Sequence, residues 1–144
     1  MKRVLTILAV AFSLNAMGQI TTSVAKEPIE IAEFKKSGFT FISVYSLANF
    51  PNTVVFQIRN SRYRYITDFF DFSAKKGDLT DIKTAILSVI DSEKEKDLTI
   101  SIPCFGNVTR LHVSTYGRRM ITLRVGEDYI DLYRNDLREL LNQF

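Results

Sequence analysis

The side chains able to do chemistry in this chain of 144 residues are few and scattered. It has one histidine, His112, and one cysteine, Cys104. A zinc site built on this pair would need carboxylates gathered from separate elements, and no acid stands at a suitable spacing. A Cys104–His112 nucleophile pair requires both in one cleft, which their places on adjacent strands neither demand nor forbid. Beside Phe105, Cys104 reads as a small core residue, and alone it leaves the fold without an intramolecular disulfide. The acidic run Asp68, Asp71, Asp78 and Asp81 lacks the alternation, central glycine and closing glutamate of a calcium loop. Helix capping and solvation account for it better. There is no glycine-rich phosphate loop and no Gly-x-Ser-x-Gly elbow, and no two acids stand out as a hydrolytic pair. We therefore assign no catalytic residue, metal ligand or cofactor, and read the protein as a non-enzyme. A hydrolase without familiar motifs is the enzymatic alternative.

What remains is recognition chemistry on strands. Alternation sends Val54, Phe56 and Ile58 one way and Val55, Gln57 and Arg59 the other. Leu111 and Val113 oppose Arg110 and His112 in the same manner. Ile121, Leu123 and Val125 oppose Thr122 and Arg124, and Ile130 and Leu132 oppose Tyr129, Asp131 and Tyr133. The polar sets predict an open sheet face carrying a binding surface of Arg59, Arg110, Arg124, Tyr129 and Tyr133, whose planar groups hydrogen-bond and stack. The segment Arg59 to Tyr65 is the densest run of arginine and tyrosine, suited to phosphates and unpaired bases. Strict alternation in Arg62-Tyr63-Arg64-Tyr65-Ile66 sets both arginines on the side of Ile66. That needs a bulge, or a strand running beyond the core.

Two helices must position these strands. From Asp78, the residues Ile82, Ala85, Ile86, Val89 and Ile90 recur at three- and four-residue steps, with Asp78 as expected cap. The second helix starts at an expected cap, Asp136, and runs through Leu137, Leu140, Leu141 and Phe144. Turns are expected at Asn49-Phe50-Pro51-Asn52, as a tight hairpin at Asn60-Ser61, and at Gly106-Asn107, Tyr116-Gly117 and Gly126-Glu127. Asp78-Leu79-Thr80-Asp81-Ile82 matches Asp136-Leu137-Arg138-Glu139-Leu140 in pattern. Phe56-Gln57-Ile58-Arg59 matches Ile121-Thr122-Leu123-Arg124, again upstream of the helix. With further matches in the same order, the chain reads as an internal duplication, about 28–94 and 97–144.

The fold class is therefore α+β: two similar strand-rich halves, each of about four antiparallel strands and then one helix. They would form one extended helix-covered antiparallel sheet or two packed ones. In element order alone, over roughly residues 29 to 144, these units resemble the transcriptional positive cofactor, Whirly and PUR-type single-strand binders. That resemblance implies single-stranded nucleic-acid binding, here through Arg59, Arg62, Tyr63, Arg64 and Tyr65.

The chain opens on Met1-Lys2-Arg3, an apolar run from Val4 to Leu14, and small residues around Ala16 and Gly18. This is the layout of a secretory signal peptide, over residues 1–18, with cleavage after Gly18 (or after Ala16 or Ala25) leaving a single domain over 19–144. The apolar run is too short for a membrane span, and the mature chain has no transmembrane segment. The formal charge of +3 falls close to neutral once Lys2 and Arg3 leave with the signal. Export and near-neutrality weigh against nucleic acid as the partner. The leading expectation is a periplasmic or secreted non-catalytic binding module. Its partner would be an envelope or secreted protein, or a second copy joined through a sheet edge.

Overall fold

The computed structural model describes residues 27–63 and 67–144. The expected signal segment, and Arg64, Tyr65 and Ile66, lie outside the described residues. The first half contains β1 (Ile29–Lys36), β2 (Phe39–Leu47), β3 (Phe50–Arg59) and β4 (Phe69–Lys75), then α1 (Leu79–Ile90). The second contains β5 (Asp97–Cys104), β6 (Asn107–Tyr116), β7 (Met120–Val125) and β8 (Asp128–Tyr133), then α2 (Arg134–Leu141). Each half is a four-stranded antiparallel meander with its strands in chain order. The expected α+β class with two similar halves is thus observed, as two separate sheets.

The halves also agree in turn chemistry. Lys36 pairs with Phe39 across Ser37-Gly38, and Cys104 with Asn107 across Phe105-Gly106. In both turns the two central residues have positive φ, 53° and 81° in the first and 50° and 76° in the second. That is the backbone of a two-residue hairpin matched to strand twist, and Gly at the second position relieves half of its steric cost. The first half departs from regularity in β1, whose register with β2 shifts between Glu30 and Ala32 and again between Phe34 and Lys35.

Alternation places the core as expected. Val54, Phe56, Ile58, Leu111, Val113, Ile121, Leu123, Ile130 and Leu132 are all buried. They share one cluster with Ile82, Ile86, Val89 and Ile90 of α1 and Leu137, Leu140 and Leu141 of α2. The stacked rings of Phe56 and Phe72 sit at its first-half end, 4.7 Å apart. Phe144, from the second half, meets Phe56 edge-on at 6.2 Å. Val55 departs from the pattern. It is buried although it lies on the polar side of β3, where its cross-strand partners are Tyr45 and Ser73.

Three local expectations are corrected. Asp78 immediately precedes α1, but its side chain makes no capping hydrogen bond. It already has helical angles as the last residue of a 3₁₀ turn, Lys76–Asp78, whereas a capping side chain needs an extended backbone to reach the free N–H groups. Asp136 is not a cap either. The Arg134 N–H donates to the Arg119 carbonyl at 3.0 Å, continuing the β7–β8 edge, and α2 starts directly from Tyr133. Asp136 therefore falls in the first helical turn, where it meets Lys36 at 3.3 Å. Finally, Asn60-Ser61 is not a tight hairpin, since β3 and β4 are joined by the longer span from Asn60 to Asp68.

Candidate functional site

The outer side of the second sheet carries an ordered array of polar side chains. Register aligns Thr99, His112, Arg124 and Tyr129 in one row across all four strands. Side chains in such a row stand on the same face, within reach of their neighbours. Thr99 Oγ1 and His112 Nδ1 are 2.9 Å apart, which ties the imidazole to the edge strand of the row. A second row contains Asp97, Ser114, Thr122 and Asp131, with the Thr122 hydroxyl donating to Asp131. Tyr116, Met120 and Tyr133 make a third, at the end nearest the β6–β7 turn. Arg110, paired with Ser101, extends the face at the opposite end.

Arg110 and Arg124 are exposed, and neither forms an ion pair among the described residues. Tyr133 is 49 % exposed, and its ring lies 4.8 Å from Lys36 Nζ. Four of the five anticipated residues, Arg110, Arg124, Tyr129 and Tyr133, therefore share one surface. Arg59 does not join them. It ends β3 in the other sheet, with its guanidinium 5.2 Å from the ring of Phe41 and 5.6 Å from that of Phe39. The difference is topological: Arg59 lies in the first of two sheets and Arg124 in the second.

The arginine–tyrosine segment is partly engaged inside the molecule. Arg62 meets Glu127 at 2.6 Å, and its guanidinium lies 5.7 Å from the ring of Tyr63. The hydrogen bond to Glu127 raises the Arg62 guanidinium above its usual value, so it stays charged. Next to it Asn60 is buried and joins the halves. Its Nδ2 donates to Asp128 Oδ1 at 2.7 Å, and its Oδ1 accepts from the Arg62 N–H at 3.1 Å.

Cys104 is half-buried at the end of β5, not in the core where it was expected. Its neighbour Phe105 stands out at the turn and packs edge-on against Phe50 at 5.5 Å. No group of three His, Cys, Asp or Glu side chains among the described residues could hold a metal ion. No described helix is long and apolar enough to cross a membrane.

Two features escaped sequence reasoning. A basin of about 690 Å³ lies on the first sheet, where Glu30, Glu33, Thr40, Ser43, Tyr45 and Gln57 meet. The bulges of β1 interrupt the alternation that would have revealed it. The second is a basic corner formed by Arg118, Arg119 and Arg134 with Tyr133. Arg118 and Arg119 directly follow the expected Tyr116-Gly117 turn, but nothing local indicated that Arg134 would lie beside them.

No family model matches the chain, and no curated protein or solved structure matches it either.

Proposed function

We propose that this protein is an exported, non-catalytic binding module that holds an envelope or secreted partner against the outer face of its second sheet. The observation that carries the reading is the polar row across all four strands, Thr99, His112, Arg124 and Tyr129. Beside it, two exposed guanidiniums, those of Arg110 and Arg124, lack a carboxylate among the described residues. A rigid antiparallel sheet holds these planar donors at fixed spacing, so little ordering entropy opposes docking. Arginine and tyrosine are also the residues that dominate binding energy at protein interfaces. Arg110 and Arg124 favour carboxylates on the partner, while Asp97 and Asp131 in the next row favour a basic or hydroxyl group beside them. Export rests on the basic start, apolar run and small residues of the first 18 positions.

Two measurements test the proposal. Intact mass of the protein from envelope and cytoplasmic fractions should show a cleaved, exported species; a full-length cytoplasmic one overturns export. The double variant R110A/R124A should lose the envelope partner captured by the wild type while keeping its melting temperature. Undiminished capture of that same partner overturns the assigned face.

A further inference from the structure

At the far end of the second sheet, two adjoining hollows share Arg118, Arg119 and Tyr133. The first, about 420 Å³, is completed by Arg134 and Asn135. The second, about 600 Å³, is completed by Tyr116, Gly117 and Met120. The first thus presents three guanidiniums, a phenol and a carboxamide, with no carboxylate in its lining. The second presents two tyrosine rings and a thioether beside the same two arginines.

Two acids beside Arg134 and its hydrogen-bond partners in sequence are already paired elsewhere. Asp136 is engaged by Lys36, and Asp91 by Arg138. Arg118 and Arg119 have no ion-pair partner among the described residues. Arg134 is held in place, with one terminal nitrogen donating to the carbonyls of Ile90 at 2.9 Å and Ser92 at 2.8 Å. Its Nε is buried and finds no acceptor among the described residues. An anion in the hollow reaches Arg134 through its other terminal nitrogen, which makes no hydrogen bond among the described residues, while Nε itself is closed to solvent.

A single guanidinium satisfies a carboxylate with two parallel hydrogen bonds. Three guanidiniums fit a group with more oxygens and more charge, and a phosphate ester supplies three acceptor oxygens with a charge near −2. The adjoining tyrosine-lined hollow then suits a planar substituent on that ester, stacked against Tyr116 or Tyr133. We propose that this corner binds an aromatic phosphate ester, with Arg118, Arg119 and Arg134 on the phosphate and Tyr116 and Tyr133 on the ring. The site goes beyond the partner-binding face: it shares Tyr116 and Tyr133 with one end of that face, while Arg110 and Arg124 take no part.

The test is a titration of the ¹⁵N-labelled protein with phenyl phosphate, inorganic phosphate and benzoate. Phenyl phosphate should shift the amide signals of residues 116–120 and 133–135 saturably and bind about tenfold more tightly than either control. R118A/R119A should weaken it by about tenfold or more, while R110A/R124A leaves it unchanged. Both arginines are exposed, so the fold should survive their loss. In addition, Y133L should abolish the advantage of phenyl phosphate over inorganic phosphate while retaining phosphate binding. Adenosine 5′-monophosphate and phosphotyrosine, followed by the same signals, distinguish a nucleotide from a phosphorylated aromatic side chain as the source. Absence of saturable shifts, equal binding of benzoate, or affinity unchanged in R118A/R119A overturns the site.

Discussion

Asn60 ties backbone and side chains of both halves to one buried amide. Its Oδ1 accepts from Arg62 in the first half and, at 3.4 Å, from the Tyr129 N–H in the second, while its Nδ2 donates to Asp128. Ser61 adds a backbone bond to the Tyr129 carbonyl at 2.7 Å. Removing a buried amide strands the groups it satisfied, so Asn60→Ala should cost about 1–3 kcal/mol in urea unfolding. A loss within about 0.5 kcal/mol, as for a neutral surface change, would contradict this role. Glu33 offers a second test. Its carboxylate takes the Lys35 ammonium at 2.6 Å and the Thr40 hydroxyl at 2.9 Å. Chiefly through the Lys35 hydrogen bond, and against desolvation, its carboxyl is held below the usual value. A folded value below the unfolded one contributes stability at higher pH, which is lost as pH falls through the folded value. Glu33→Gln should therefore flatten the acid end of the stability curve, below about pH 4. Parallel curves for wild type and variant would show that the pair contributes nothing.

Among the elements, the edge of β1 is the one most plainly managed. An uncovered edge strand invites pairing with another chain. Here the Gln143 side chain imitates a neighbouring strand: its Oε1 accepts from the Glu33 N–H at 2.9 Å and its Nε2 donates to the Glu33 carbonyl at 3.0 Å. Gln143→Leu should cost about 1–2 kcal/mol and promote self-association, visible by sedimentation at rising concentration. A variant that stays as stable and as monodisperse as the parent would show that the edge needs no such cover. The helices themselves were legible from their apolar spacing, because an i, i+3, i+4 stripe depends only on local geometry. Their starts were not. Asp78 and Asp136 have the composition of caps, but the preceding 3₁₀ turn and the prolonged β8 edge fix the backbone angles there. Similarly, alternation located the faces of β6, β7 and β8, while the bulges of β1 concealed the basin on the first sheet.

For the molecule as a whole, the halves are duplicated in pattern but joined in packing. Residues of both enter one hydrophobic cluster, and Lys83 of α1 donates to the Phe144 carbonyl at 2.7 Å. Unfolding should accordingly be a single cooperative transition, with fluorescence and circular dichroism midpoints coinciding. Separated midpoints would mean that each half is stable by itself. The sequence by itself determined the periods: which residues alternate, where apolar stripes recur, and that the order of elements repeats. Those features follow from the geometry of a strand or a helix turn and need no knowledge of the rest of the chain. Only the tertiary structure decided that the strands divide into two sheets, removing Arg59 from the face of Arg110 and Arg124. It alone brought Arg134 to Arg118 and Arg119, because both outcomes depend on which distant segments bury their apolar faces together, and hydrophobic burial carries no sequence direction.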